Sequence, residues 1–364
     1  MRNVWLCIAF GIILAAGCPP ASGAGNNAAA GEQAARKADD SDARGPSPAD
    51  KAEWVKRVTR QHSPASWDLL MEYDHLPPEL ESSKKGGWVV SMKKPVETFP
   101  SLQKDNRRTE HLDRMALHLH VITLSLQRLH AFRYTRDNNI LLDWDRAEAF
   151  FYLSPARTFY VSFPMKSLYP AADLIPVIPA SLKTPLFDAY LRDCKNAQRF
   201  GVIGLLEEFH GYYAEARFYA DMLAAYRVIE GSDADGFLEW VMHSQSSIGA
   251  FYEFDFFILE YLLYMKQRHA PDYEALKSCQ PFVETYGAIR SLYSKLIDQY
   301  VDTIRAEARR LTAAGKAEVG YDDNILWVRT AGSNKGTRIF TEREKLAPVM
   351  NSNRYAAIVA DFLR

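Results

Sequence analysis

Along most of the chain, apolar positions recur with the spacing of a helix rather than a strand. Leu112, Met115, Leu119, Ile122, Leu126 and Leu129 stand alternately three and four apart, which places them on one side of a helix with 3.6 residues per turn. Leu117, Val121 and Leu124 widen the stripe, so much of this helix should be buried. It is expected to end near Phe132, before the turn-forming Asp137-Asn138-Asn139. Val202, Leu206, Phe209, Tyr213, Ala216, Ala220 and Leu223 repeat the same rhythm. A further helix should run from Gly236 through Phe251–Met265, and the next carries Tyr286, Tyr293 and Tyr300 seven apart, with Ile289 and Leu296 between them. Only short breaks, at Gly231–Asp235 and Ala270–Asp272, interrupt the series, so successive helices should pack antiparallel. Upstream, Trp54 to Tyr73 reads as one helix stopped by Leu76-Pro77-Pro78.

Three stretches depart from the helical period. Residues 80–108 are polar and rich in lysine, with only Gly87–Met92 resembling a strand. Between 150 and 187, Phe150, Phe151, Tyr152, Phe159, Tyr160, Phe163 and Tyr169 are interleaved with Pro155, Pro164, Pro170, Pro176, Pro179 and Pro185. Proline density of that kind forbids a long helix and disfavours a central strand. An apolar strap over the helices is expected there, with one edge strand at Thr158–Phe163. After Gly315, Ile325–Thr330 and Thr337–Phe340 flank Gly332–Gly336 as a β-hairpin. Thr341 with Glu344 marks the start of a short helix, which Pro348 should interrupt. The fold class is therefore mainly α: an antiparallel helical bundle with a Pro/aromatic strap and a small β-hairpin near the C-terminus.

The first residues carry a different signal. Arg2 is followed by an apolar run from Val4 to Ala16, the pattern of an export leader. The run is shorter than the roughly 20 apolar residues that span a bilayer. Leu14-Ala15-Ala16-Gly17-Cys18 resembles the bacterial lipobox, with Ala15 where that family often has Leu. The resemblance covers this segment alone. It implies that Cys18 is lipidated and becomes the first mature residue, and Pro19 behind it resembles the signal for outer-membrane delivery. Residues 19 to about 50 hold almost no large apolar side chain and are expected to be a disordered tether, with an end-to-end reach of roughly 30 Å. The expected organisation is a leader at 1–17, the lipidated cysteine and tether at 18–51, and one domain at 52–364 in the periplasm or at the cell surface.

Composition narrows the function more than it defines it. The net charge is −1 and no helix carries a dense basic stripe, so nucleic acid is not an expected partner. Cys7 leaves with the leader and Cys18 with the lipid, so an oxidising compartment permits one disulfide, between Cys194 and Cys279, or two buried thiols. Glu207 and His210 form Glu-x-x-His, a spacing used by di-iron bundles. With Glu239 and His243 on the next helix, four ligands could meet around one transition metal; a Glu–His pair beside a packed stripe is the simpler expectation. His111, His118, His120 and His130 share one helix without a zinc spacing. Glu253, Asp255 and Glu260 stand in a very apolar helix, where paired carboxylates could do acid–base work or line a wet edge. No Gly-x-Ser-x-Gly, phosphate-binding loop or dinucleotide fingerprint occurs.

Two signals point to binding. Residues 211–219 look like the second helix of a tetratricopeptide repeat, although one unit makes no array and a bundle helix is expected. The strap offers Phe159, Tyr160, Phe163 and Tyr169 as a contact surface for a protein or an apolar ligand. The sequence therefore reads as a lipid-anchored envelope protein with a helical binding or scaffolding domain, without a cofactor or an assigned catalytic residue. The alternatives are a metal-dependent or hydrolytic envelope enzyme and an envelope immunity or assembly partner.

Overall fold

A computed structural model describes residues 48–81, 91–100, 108–138, 143, 145–322, 325–330, 333–339 and 341–363. The leader, Cys18 and residues 19–47 of the expected tether lie outside them, as do Gly87–Val90, Gly332 and Phe340, whereas Pro48–Lys51, expected in the tether, already belong to the first helix. The described chain is mainly helical. Two helices, α1 (Pro48–His62) and α2 (Pro64–His75), stand where one was expected. Pro64 is the reason, since it lacks the amide hydrogen to continue α1 but suits the first turn of α2. Short strands β1 (Glu79–Glu81) and β2 (Ser91–Lys93) pair antiparallel. Helix α3 (Arg108–Asp137) then buries its predicted stripe: Leu112, Met115, Leu119 and Ile122 are fully enclosed.

The strap begins instead as a β-hairpin. Strand β3 (Arg146–Ser154) pairs with β4 (Arg157–Pro164), in a register that places Ala147 opposite Phe163 and Ala149 opposite Val161. Ala147, Ala149, Phe151, Val161 and Phe163 are all buried, a period of two that presses one face onto the helices. Pro155 sits in the turn and Pro164 ends β4, so neither interrupts the ladder. Beyond Pro164 the strap is a series of 3₁₀ turns, Met165–Ser167, Ala171–Leu174 and Ala180–Leu182, each entered through a proline.

The bundle proper is α4 (Lys195–Asp221), α5 (Leu223–Glu230), α6 (Asp233–Arg268), α7 (Ala270–Lys277) and α8 (Gln280–Ala313). Cross-contacts fix the directions. Trp240 donates to Tyr219 O and Ser247 to Glu215, while Tyr261 meets Tyr169 beside Gly201, so α4 and α6 run antiparallel. Ser244 meets Tyr300 and Asp255 meets Tyr286, so α6 and α8 do too. The heptad tyrosines of α8 thus turn their rings into the core and their hydroxyls onto α6. Segment 211–219 is an interior part of α4 and acts as a bundle helix.

Helix α4 bends at Gly201, whose φ of 52° and ψ of −127° suit only glycine. A Cβ there would lie 2.2 Å from Tyr261 Oη. That hydroxyl accepts the Tyr169 amide at 2.6 Å and donates to the Tyr169 carbonyl at 2.8 Å, fastening the strap to the bend. Near the C-terminus β5 (Glu318–Asp322), β6 (Ile325–Thr330) and β7 (Ser333–Arg338) form a three-stranded antiparallel sheet. It contains the expected hairpin, with its second strand starting earlier. Helix α9 (Thr341–Met350) runs through Pro348 and packs on α6, and α10 (Ala356–Phe362) closes the chain.

Candidate functional site

Polar side chains are concentrated in a buried seam between α3 and α4. Asp113, His120 and Gln127 are seven residues apart on α3 and therefore face one way; Glu208 and Glu215 are seven apart on α4 and face them. His120 lies between the two glutamates, with Nε2 3.1 Å from Glu208 Oε2 and Nδ1 3.3 Å from Glu215 Oε2. Around this triad Asn196 and the Cys194 thiol donate to Glu208, and Ser247 of α6 donates to Glu215 at 2.6 Å. The Tyr212 ring meets the imidazole edge-on, and its hydroxyl accepts from Tyr190. Burial by itself lowers the His120 pKa, but hydrogen bonds and charge from both glutamates outweigh it and push it up to about 9. The buried group is thus an imidazolium between two acidic side chains.

About two turns further along α3, Arg128 pairs with Glu207, donates to the Glu148 carbonyl of β3 at 2.9 Å and covers the Phe200 ring. Burial pushes Glu207 up to about 7 against the opposing pull of Arg128, and its Oε1 has no hydrogen-bond partner among the described residues. The Gln127 amide donates to His210 Nδ1 at 2.9 Å, which leaves the hydrogen on Nε2, and the ring is bonded to the Tyr152 backbone of β3. Burial, aided by the charge on His120, brings His210 down to about 3. Its two ring nitrogens are thus both taken up by hydrogen bonds within the fold.

The four-ligand metal centre that the spacing allowed is not assembled. Glu207 and His210 belong to the seam, whereas Glu239 and His243 form a separate cluster in which His243 bridges Glu239 at 3.3 Å and Asp113 at 2.9 Å. Among the described residues no three His, Cys, Asp or Glu side chains are placed to hold a metal. The acidic residues of α6 also part company. Glu253 accepts the Leu186 amide at 3.0 Å, Asp255 takes Tyr286 and Arg290, and Glu260 takes Arg354 and Tyr355. Each fastens a different element to the bundle, so they do not make a catalytic pair. Cys194 and Cys279 are not joined to each other: the first faces Glu208 in the seam, and the second precedes α8.

The four aromatic residues expected to form a contact surface are divided by the hairpin. Phe163 is core. Tyr169 donates to Asp272 and stacks on His269 at 3.7 Å. Tyr160 is half-buried on the outer hairpin face against Tyr134. Phe159 alone among them lines an open groove of about 950 Å³ between β4, α8 and the C-terminal residues. Arg157, Gly287, Ser291, Lys295 and Phe362 share its wall. Along α8 it extends from Gln280 to Lys295, roughly 22 Å at 1.5 Å per residue. A smaller cleft of about 110 Å³ under the hairpin turn reaches His210 and has room for only a few waters.

No family model, curated protein or solved structure matches this chain. Sequence reasoning identified neither the His120 triad nor the groove. The triad had a signal in the shared heptad of Asp113, His120 and Gln127 against Glu208 and Glu215. The groove had none, because it depends on where a strand and the chain end meet α8.

Proposed function

We propose that this chain is a lipid-anchored protein of the bacterial cell envelope whose helical domain captures a ligand in the groove along α8. The leader and Cys18 supply the anchor, and the residues between Cys18 and helix α1 supply the reach away from the lipid surface. Among the described residues no helix is long and apolar enough to cross a membrane, which is compatible with attachment through lipid. The groove carries the binding half of the reading. Its volume falls at the upper end of ligand sites, roughly 300–1,000 Å³. Phe159 and Val283 offer apolar contact while Ser291 and Gln280 offer hydrogen bonds, so the ligand is one with both kinds of surface.

Gly287 allows a clean test, because nothing lies within 4 Å of a Cβ built there. Gly287→Trp fills the groove without disturbing the core. The full chain and this variant are compared in a thermal-shift screen with fatty acids, muropeptides, oligosaccharides and short peptides. A ligand at a hundred times its Kd adds about 2.7 kcal/mol, a rise in Tm of about 5 °C or more. The expected result is such a rise for one ligand class in the wild type and none in Gly287→Trp. Equal shifts in both proteins, or none in either across the panel, contradict the groove assignment.

A further inference from the structure

We propose that the Glu208–His120–Glu215 triad is a proton-held latch that clamps α3 to α4, sets the β3–β4 wall of the groove, and releases it on the alkaline side. The geometry is a chain of contacts. His120 of α3 is the bridge between two carboxylates of α4. The residues beside this bridge hold the backbone of β3: Arg128 of α3 binds Glu148 O, and His210 of α4 binds Tyr152. Strand β3 in turn carries β4, with Phe159 and Arg157 of the groove. The helices cannot separate without letting go of the hairpin.

The groups facing the triad are polar on every side. From α4 come Glu208, Glu215, Tyr212 and the neutral His210; from α6, Ser247 on Glu215, with Glu253 beyond Tyr212; from the segment before α4, Tyr190, Cys194 and Asn196. Among the described residues, the cation that contacts both glutamates is His120. Once its ring loses a proton, two carboxylates remain buried in the same site without a positive charge between them, an arrangement that carries a large desolvation penalty. His120 is raised from its ordinary 6.5 to about 9. Its stabilisation is fully present below pH 6.5 and is lost as pH rises through 9. Within that window each opening releases one proton, so the opening constant should grow about tenfold per pH unit and level off above about 9.

Cys194 is a native reporter, being buried against Glu208. Its alkylation by iodoacetamide, read on the tryptic peptide of the full chain and normalised to the unfolded chain at each pH, measures opening of the seam. Trypsin cleavage after Arg146, whose guanidinium is bound to Ser162 at 2.6 Å, measures release of the hairpin. Both rates should climb together, about tenfold per unit, between pH 7 and 9. In His120→Gln, which keeps an amide donor but cannot titrate, both slopes should be flat. If that variant fails to fold, ¹⁵N NMR of the His120 ring in the wild type must show the same midpoint as the two rates. A His120 ring that titrates below pH 7, a slope that survives in His120→Gln, or seam opening without hairpin cleavage each overturns the proposal. None of these outcomes depends on what the groove binds.

Discussion

At Gly211 the backbone of α4 lies against the His120 ring, where a Cβ would stand 2.7 Å from Nε2. The ring has no room to retreat, since Glu208, Glu215 and Tyr212 hold it. Helix propensity alone favours alanine over glycine by about 1 kcal/mol, while overpacking a filled site costs about 1–3 kcal/mol. Gly211→Ala should therefore lose up to about 2 kcal/mol in a urea titration. Gly287→Ala, with open space at its Cβ, should gain up to about 1 kcal/mol. A stabilised Gly211→Ala would mean that the ring is not held. Sequence spacing alone could not separate these cases. Glu-x-x-His puts Glu207 and His210 on neighbouring faces, but the identity of each partner depends on side chains contributed by α3. Adjacent Glu207 and Glu208 bond to Arg128 and His120 respectively, a division that no pattern within α4 announces.

Between elements, single side chains do the fastening. The Tyr261 hydroxyl bonds both the amide and the carbonyl of Tyr169, tying the strap to the bend at Gly201. Tyr261→Phe keeps the ring but leaves the Tyr169 amide without that acceptor. Leaving such a group unpaired in a buried site costs about 1–3 kcal/mol, and the loss should appear as a lower Tm together with faster exchange of the Tyr169 amide. Unchanged exchange at that amide would show that the knot is not what holds the strap. The sequence gives an uneven account of this region. Its proline count correctly rules out a long helix beyond Pro164, yet the strands were only half legible. The alternation of Ala147, Ala149 and Phe151 lies upstream of the prolines, in small residues that carry little apolar signal. Pro155 and Pro164 mark the limits of the strands and so resemble interruptions when read alone.

At the scale of the molecule, the antiparallel bundle was the most legible feature, because long four-three stripes and short breaks leave few other packings. The buried polar seam was not, since its charges become a unit only when two helices meet. The groove lies still further from the sequence, at the junction of β4, α8 and the chain end. The proposal that this domain is joined to an envelope surface rests on Cys18, which lies in the segment where the sequence speaks most directly. The most direct measurement is metabolic labelling of the full chain with radioactive palmitate in a bacterial host, followed by membrane fractionation, beside a Cys18→Ser variant. The wild type should carry label and sediment with the membranes, and the variant should carry none and leave the membrane fraction. A wild-type chain without label, or a Cys18→Ser chain that is still labelled and membrane-bound, would contradict the account.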